Sequence, residues 1–289
     1  MAIKGIDVSK YQGDVDFAKV KSAGYNFVMI NAGYGRYISQ KDRCFDKNYA
    51  EAKAARLNVG AYWYSYAVNA AQAQEEARVF LEVIKGREFE YPVALDIEDA
   101  VQQRLPNVVI GDIVNSFCSY LENRGYYAMI YSYANFLKNK VPVECRKKYD
   151  VWVAHFDVDS PDYPDSYGMW QYSSTGRVSG VNGNCDLDYS YKDYPAIMKE
   201  KGLNGYGKSQ RILDSTGWKF GDKGMGVLAL KQMLILARDK KLIEQKVDDN
   251  GTFGEGTQKA VNELLNKWNY LSNGIAGDNF IRKLRENLA

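Results

Sequence analysis

The order of the apolar runs constrains this chain more than any other feature. Eight short runs bounded by turn residues read as strands: residues 5–9, 27–32, 60–66, 92–98, 127–133, 150–156, 168–173 and 186–189. Helical patterns separate the first five. Asp16 is placed to cap a helix over 17–23, and Phe45, Tyr49 and Ala52 recur at helical spacing. Asn69 opens an alanine- and glutamate-rich stretch whose Ala77, Phe80, Leu81 and Ile84 form one stripe, and Ile113, Phe117, Tyr120 and Leu121 form another that Gly125 ends. Strands alternating with helices pair in parallel through right-handed crossovers, which gives an α/β sheet or barrel. From Asp150 onward the strands follow one another with little or no helix. The pattern therefore predicts an irregular TIM-like barrel of five βα units and three further strands, (β/α)5(β)3.

The run 92–98 can be phased. Side chains alternate along a strand, so Val93, Leu95 and Ile97 share one face while Ala94, Asp96 and Glu98 share the other. The apolar face belongs against the helices, which sends both carboxylates into the barrel near its carboxyl-terminal mouth, where barrel enzymes keep their chemistry. Asp7 after the first run and Asp186 on the eighth also fall at strand carboxyl ends. Closure makes the first and eighth strands neighbours, with the fourth facing them. Four carboxyl groups sharing a poorly solvated cleft raise one another's pKa, and one of them is then kept protonated as a general acid. Glycoside hydrolysis needs such an acid and a second group that stabilises or attacks the anomeric carbon. Glu98, with the longer reach, is the acid in this reading. A separation of two positions leaves open whether the pair would invert or retain. Aromatic rings sit nearby: Tyr62, Tyr64 and Tyr66 share one strand face, and Trp170 and Tyr172 share a phase. Together with Tyr131 they are candidate sugar contacts, core packing being the alternative for each.

Composition excludes several other functions. The formal net charge is +2, slightly basic after Ser209, and no basic run interleaves with aromatics, so nucleic acid is not an expected partner. No apolar run approaches a membrane span, and the opening residues lack a signal peptide's apolar core. Cys44, Cys118, Cys145 and Cys185 stand far apart without a C-x-x-C pair, so they read as free packing thiols. One histidine, His155, makes a Ser-His-Asp triad or a histidine metal site a poor fit. Neither a metal nor a cofactor is expected.

After Gly202 the sequence loosens into Gly-Leu-Asn-Gly-Tyr-Gly-Lys-Ser, a linker by composition. Beyond it, three amphipathic patterns make a small all-α bundle: Val227, Leu230, Met233, Leu234 and Ala237; Ala260, Val261, Leu264, Leu265 and Trp268; Phe280, Ile281 and Leu284. The expected division is a barrel over 1–201, a linker over 202–216 and a helical domain over 217–289.

Several motifs resemble, in order, the landmarks of glycoside hydrolase family 25, the N-acetylmuramidase lysozymes of phage endolysins and bacterial autolysins. They are Gly5-Ile6-Asp7-Val8-Ser9-Lys10-Tyr11-Gln12-Gly13, Gly60-Ala61-Tyr62-Trp63-Tyr64, Ala94-Leu95-Asp96-Ile97-Glu98, Ile130-Tyr131-Ser132, Trp152-Val153-Ala154, Trp170-Gln171-Tyr172-Ser173 and Asp186-Leu187-Asp188. The resemblance implies cleavage of the β-1,4 bond from N-acetylmuramic acid to N-acetylglucosamine in bacterial peptidoglycan. It implies Glu98 as acid/base, Asp96 as the group that orients the substrate acetamido, and Asp7 and Asp186 as flanking carboxylates. His155 departs from the pattern and either lines the cleft or packs. The tail is similar to the peptidoglycan-binding three-helix domain, through Phe220-Gly221-Asp222-Lys223-Gly224, Asp249-Asn250-Gly251-Thr252-Phe253-Gly254 and Asn273-Gly274-Ile275-Ala276-Gly277. By analogy with endolysins, the protein is expected to be made without a leader, released through a holin pore, and active at the cell wall. Two alternatives compete. An acetamido-assisted chitinase would carry D-x-x-D-x-D-x-E, but Tyr91 and Ala94 occupy its upstream acidic positions. A non-catalytic wall-binding protein would have no reason to keep all four acids.

Overall fold

A computed structural model of the chain describes residues 2–206, 212–268 and 270–288. The eight expected runs are the eight strands of one closed barrel. In chain order the first half runs β1 (Ile3–Val8), α1 (Phe17–Ser22), β2 (Phe27–Tyr34), α2 (Phe45–Ala54), β3 (Asn58–Tyr64), α3 (Ala70–Ile84) and β4 (Val93–Asp96). It continues through α4 (Ala100–Gln103), α5 (Asn107–Glu122), β5 (Ala128–Tyr133), α6 (Ala134–Asn139), α7 (Val143–Lys148) and β6 (Asp150–Ala154). β7 (Met169–Gly176), β8 (Cys185–Ser190) and α8 (Tyr194–Lys201) complete it. The helix starts follow their caps: Asp16 accepts from Lys19 N and Asn69 from Gln72 N.

Neighbouring strands pair in parallel from β1 to β7, whereas β8 runs antiparallel to both β7 and β1. The β7–β8 connection is too short for a crossover helix, so the chain can only turn back on itself. The expected direction of the last strand is therefore corrected: Asp186 lies at the start of β8, and it reaches the mouth because that strand is reversed. Ile6, Val8, Ile30, Leu95, Ile97 and Val153 face outward into one core beneath the helices. Phe27, Met29, Met129, Trp152 and Met169 point inward and form a second core with Tyr91 and Tyr194. That inner plug explains two glycines. A Cβ on Gly5 would meet the Phe27 ring at 2.2 Å, and one on Gly60 would meet Met29 Sδ at 2.3 Å.

The first compact unit extends to residue 207. The start of the stretch that composition marks as a linker belongs to it. Asn204 is fully buried in a left-handed conformation. Its Nδ2 donates to Tyr91 O and its Oδ1 accepts from Tyr127 N, both at 2.7 Å, while the Tyr206 hydroxyl donates to Glu90. Polar residues there satisfy strand ends, which composition alone reads as looseness. Residues 207–211 of that stretch lie outside the described residues.

The second unit carries α9 (Met225–Asp239), α10 (Glu255–Lys267) and α11 (Asp278–Leu288). Val227, Leu230, Leu234, Phe253, Val261, Leu264, Phe280 and Leu284 form its core. Lys231 on α9 is fully buried. Its ammonium donates to Asn250 Oδ1, Thr252 O and Asp248 Oδ1 at 2.8 to 2.9 Å, so a tethered cation holds the Asp248–Thr252 turn. Among the described residues, no helix is long and apolar enough to cross a membrane.

Candidate active site

A cleft of about 670 Å³ opens at the barrel mouth and brings Asp7, Asp96, Glu98, Asp186, Tyr62, Tyr64 and Tyr131 together. Each arrives by strand geometry. Asp7 and Asp186 are register partners across the β1–β8 seam, and Asp96 is flanked in register by Tyr64 on β3 and Tyr131 on β5. Beyond β4 the backbone stays pinned: Ile97 N donates to Tyr131 O at 3.1 Å, and Ser132 Oγ donates to Ile97 O at 2.6 Å. Glu98 therefore keeps the strand's phase and points inward, as its alternation predicts.

The electrostatics follow from crowding. Burial, with added repulsion from Asp186 and Asp99, pushes the Glu98 carboxyl up to about 7, against a hydrogen bond from Tyr133 that lowers it. Burial pushes Asp186 up to about 6, against a hydrogen bond shared with Asp7. Asp96 is held well above the usual carboxylate range by burial and then by Glu98. Asp7 is held up by burial and then by Asp186 and Asp188. Among the described residues, Asp96 Oδ1 and Glu98 Oε2 are buried without a hydrogen-bond partner. Buried polar atoms left unpaired in this way are rare and fit a surface built to bind a polar ligand.

Two expected contacts stand elsewhere. Trp170 and Tyr172 occupy the outer face of β7, where Tyr172 stacks on Tyr189 with centroids 4.4 Å apart and the Trp170 indole donates to His155 O at 2.8 Å. Their shared phase is real, but it is the phase of the outer core. Gln171 between them faces the cleft instead. Its Nε2 donates to Asp7 Oδ2 at 2.7 Å and its Oε1 accepts from the Tyr131 hydroxyl at 2.8 Å, which ties the first strand to the fifth. His155 packs, its Nδ1 accepting from Asp162 N at 3.0 Å. The four cysteines are free thiols, three of them buried.

Sequence reasoning passed over a fifth carboxyl group. Asp188 is fully buried two residues after Asp186, and its Oδ1 accepts from the Trp152 indole at 2.8 Å. The alternation that selects Asp186 also selects Asp188. Tyr34 and Tyr133, also passed over, line the cleft together with the expected Tyr66. Behind Tyr64 and Tyr66, buried Glu76 of α3 accepts from Ser65 Oγ at 2.6 Å and Tyr66 N at 3.0 Å. Gln102 Nε2 donates to Ser65 O and Ala67 O, so α3 and α4 together fix the loop that carries these rings.

The comparisons with known proteins agree with this geometry. The autolytic lysozyme of Clostridium acetobutylicum is 34% identical over 186 residues, covering 64% of this chain and 55% of the relative. Lysozyme M1 of Streptomyces globisporus is 32% identical over 197 residues, covering 64% and 66%. The chain thus spans just over half the length of the first relative and somewhat under two thirds of the second. The crystal structure of the bacterial lysozyme from Streptomyces coelicolor superposes with a TM-score of 0.62 at 28% identity, over 71% of this chain and 98% of that one. The sequence profile of Glycosyl hydrolases family 25 matches residues 6–181, more than half of the chain, and the chain belongs to that family.

Proposed function

We propose that the barrel is an N-acetylmuramidase that hydrolyses the β-1,4 bond from N-acetylmuramic acid to N-acetylglucosamine in bacterial peptidoglycan. One observation carries the reading: five carboxyl groups meet in and beneath a single ring-lined cleft, and their environments hold two of them at different pKa values, about 7 for Glu98 and about 6 for Asp186. Near neutral pH, Glu98 retains a proton to give to the leaving glycosidic oxygen, while Asp186 is mostly ionised and stabilises positive charge developing at the anomeric carbon. Asp96, beside Glu98 on the same strand face, orients the acetamido group next to that carbon. Asp7, fixed by Gln171, completes the acidic wall. Tyr62, Tyr64 and Tyr131 supply flat faces and hydroxyls for the sugar rings.

In this reading the barrel keeps the irregular (β/α)5(β)3 plan, and the second unit, with its separate core and glycine turns, anchors the enzyme to the wall outside the cell membrane. Clearing of purified bacterial walls should vanish in Glu98→Gln with the fold intact. Mass spectrometry of the digest should find muramic acid at the new reducing ends. Glucosamine at those ends, or undiminished clearing by the variant, would overturn the assignment. For the second unit, the full chain carrying Glu98→Gln should pellet with walls, and a chain ending at residue 206 should stay in the supernatant.

A further inference from the structure

A second hollow, of about 310 Å³, opens beside the cleft and shares Lys10, Tyr11 and Tyr34 with it. Its chemistry is the opposite of its neighbour's. Asp7, Asp42, Asp96, Glu98 and Asp186 line the cleft, whereas Lys10, Lys41 and Arg43 line the hollow with no acidic residue among its walls. Lys41 is engaged by Asp46. Among the described residues, neither Lys10 nor Arg43 has a carboxylate within 4.0 Å, so two cations face this space without an anionic partner. Asp42, the acid at the junction, is turned inward, where its oxygens accept from the backbone N–H groups of Lys10 and Cys44 at 3.0 and 2.7 Å.

A row of rings leads from the catalytic carboxyls to this hollow. Tyr64, the register partner of Asp96, lies 5.0 Å from Tyr66 between centroids, and Tyr66 lies 5.9 Å from Tyr34. The Lys10 ammonium then sits 5.6 Å from the Tyr34 ring and 5.4 Å from the Tyr11 ring, so it is held at the boundary of the two spaces. Tyr11 is 84% exposed and Tyr66 49%, which leaves the row open to a long ligand. A saccharide strand stacked along it would bring whatever it carries over the cations.

Taking the muramidase reading as its basis, we propose that Lys10, Lys41 and Arg43 form an anion subsite that binds an oxyanion borne by the glycan strand, a stem-peptide carboxylate or a phosphate ester. It favours charged strands over neutral ones. The acidic cleft repels anions, so a cationic pocket at its end also sets which way along the row a substituted strand lies.

The test uses Arg43→Glu in the full chain and three preparations of uncrosslinked strands: native, carboxyl-amidated, and stripped of phosphodiesters by hydrofluoric acid. The variant should raise KM about tenfold on native strands with kcat unchanged, as loss of one charge-assisted contact requires. Arg43→Lys should restore most of the affinity. If the defect disappears on amidated strands the anion is a carboxylate; if it disappears on stripped strands, a phosphate. An equal change on all three substrates, or none on any, overturns the subsite. Calorimetric titration of the full chain with a muramoyl peptide and its amidated form provides a second measure that does not depend on cleavage. Arg43→Glu should weaken only the charged ligand, and equal binding of both forms by the wild type overturns a carboxylate ligand. If native strands are not cut at all, the muramidase reading fails, and the binding measurement with the peptide and with inorganic phosphate decides the subsite alone.

Discussion

A proton held on Glu98 has a thermodynamic consequence that can be measured without substrate. Its carboxyl lies at about 7 in the folded chain against 4.5 for the free group. A carboxyl whose folded pKa is raised favours folding fully below the unfolded value, and that contribution is lost as pH climbs through the folded one. Between pH 5 and pH 8 the loss from this residue amounts to about 2 to 3 kcal/mol, at about 1.36 kcal/mol per pKa unit. Glu98→Gln removes the titration while keeping the shape. In urea unfolding followed by tryptophan fluorescence, the stability of the variant relative to the wild type should grow by about 2 to 3 kcal/mol from pH 5 to pH 8. The variant should be inactive at every pH in that range, so the same substitution gains stability and loses catalysis. A stability difference that does not change with pH would mean that Glu98 titrates as an ordinary solvated carboxyl, and the general-acid assignment would lose its physical basis.

Other substitutions separate the roles of individual side chains. The pH profile of kcat/KM should rise through about 6 as Asp186 ionises and fall above about 7 as Glu98 loses its proton; steady-state rates on soluble strands report both limbs. Gln171→Leu strands Asp7 and the Tyr131 hydroxyl inside the protein, and should lower kcat/KM about tenfold or more while circular dichroism stays native. Trp170→Ala should cost about 3 kcal/mol or more of barrel stability and leave KM nearly unchanged, because the ring sits in the outer core. Lys231→Met should lower the unfolding midpoint of the second unit, seen by Trp218 and Trp268 fluorescence, by removing the ammonium from the Asp248–Thr252 turn.

How much could be read in the sequence depended on whether periodicity alone decided the matter. All eight strands were legible, because each is a short apolar run between turn residues, and Asp96 and Glu98 were legible because two-residue alternation fixes their face. The same alternation misleads at β7. Trp170 and Tyr172 do share a face, but nothing local says whether that face meets sugar or helix, and the inward residue was the less conspicuous Gln171. The reversal of β8 was hidden for a related reason: strand direction is set by the length of the returning connection and not by the strand's own residues. Asn204 and Tyr206 lie in a glycine-rich stretch that composition reads as loose, yet their side chains donate hydrogen bonds to Tyr91 O and Glu90, more than a hundred positions earlier. Long-range satisfaction of that sort leaves no trace in a local window.

The seam between β1 and β8 also matters during synthesis. Asp7 is made almost two hundred residues before its register partner Asp186 and the buried Asp188, and also before the Gln171 that holds it in place. A polypeptide still on the ribosome therefore carries Glu98 without the carboxyl groups of Asp186 and Asp188 that share its cleft wall and floor. The cleft is complete only when the final strand docks, so under the proposed function a copy ending before β8 is expected to lack activity in the wall-clearing assay.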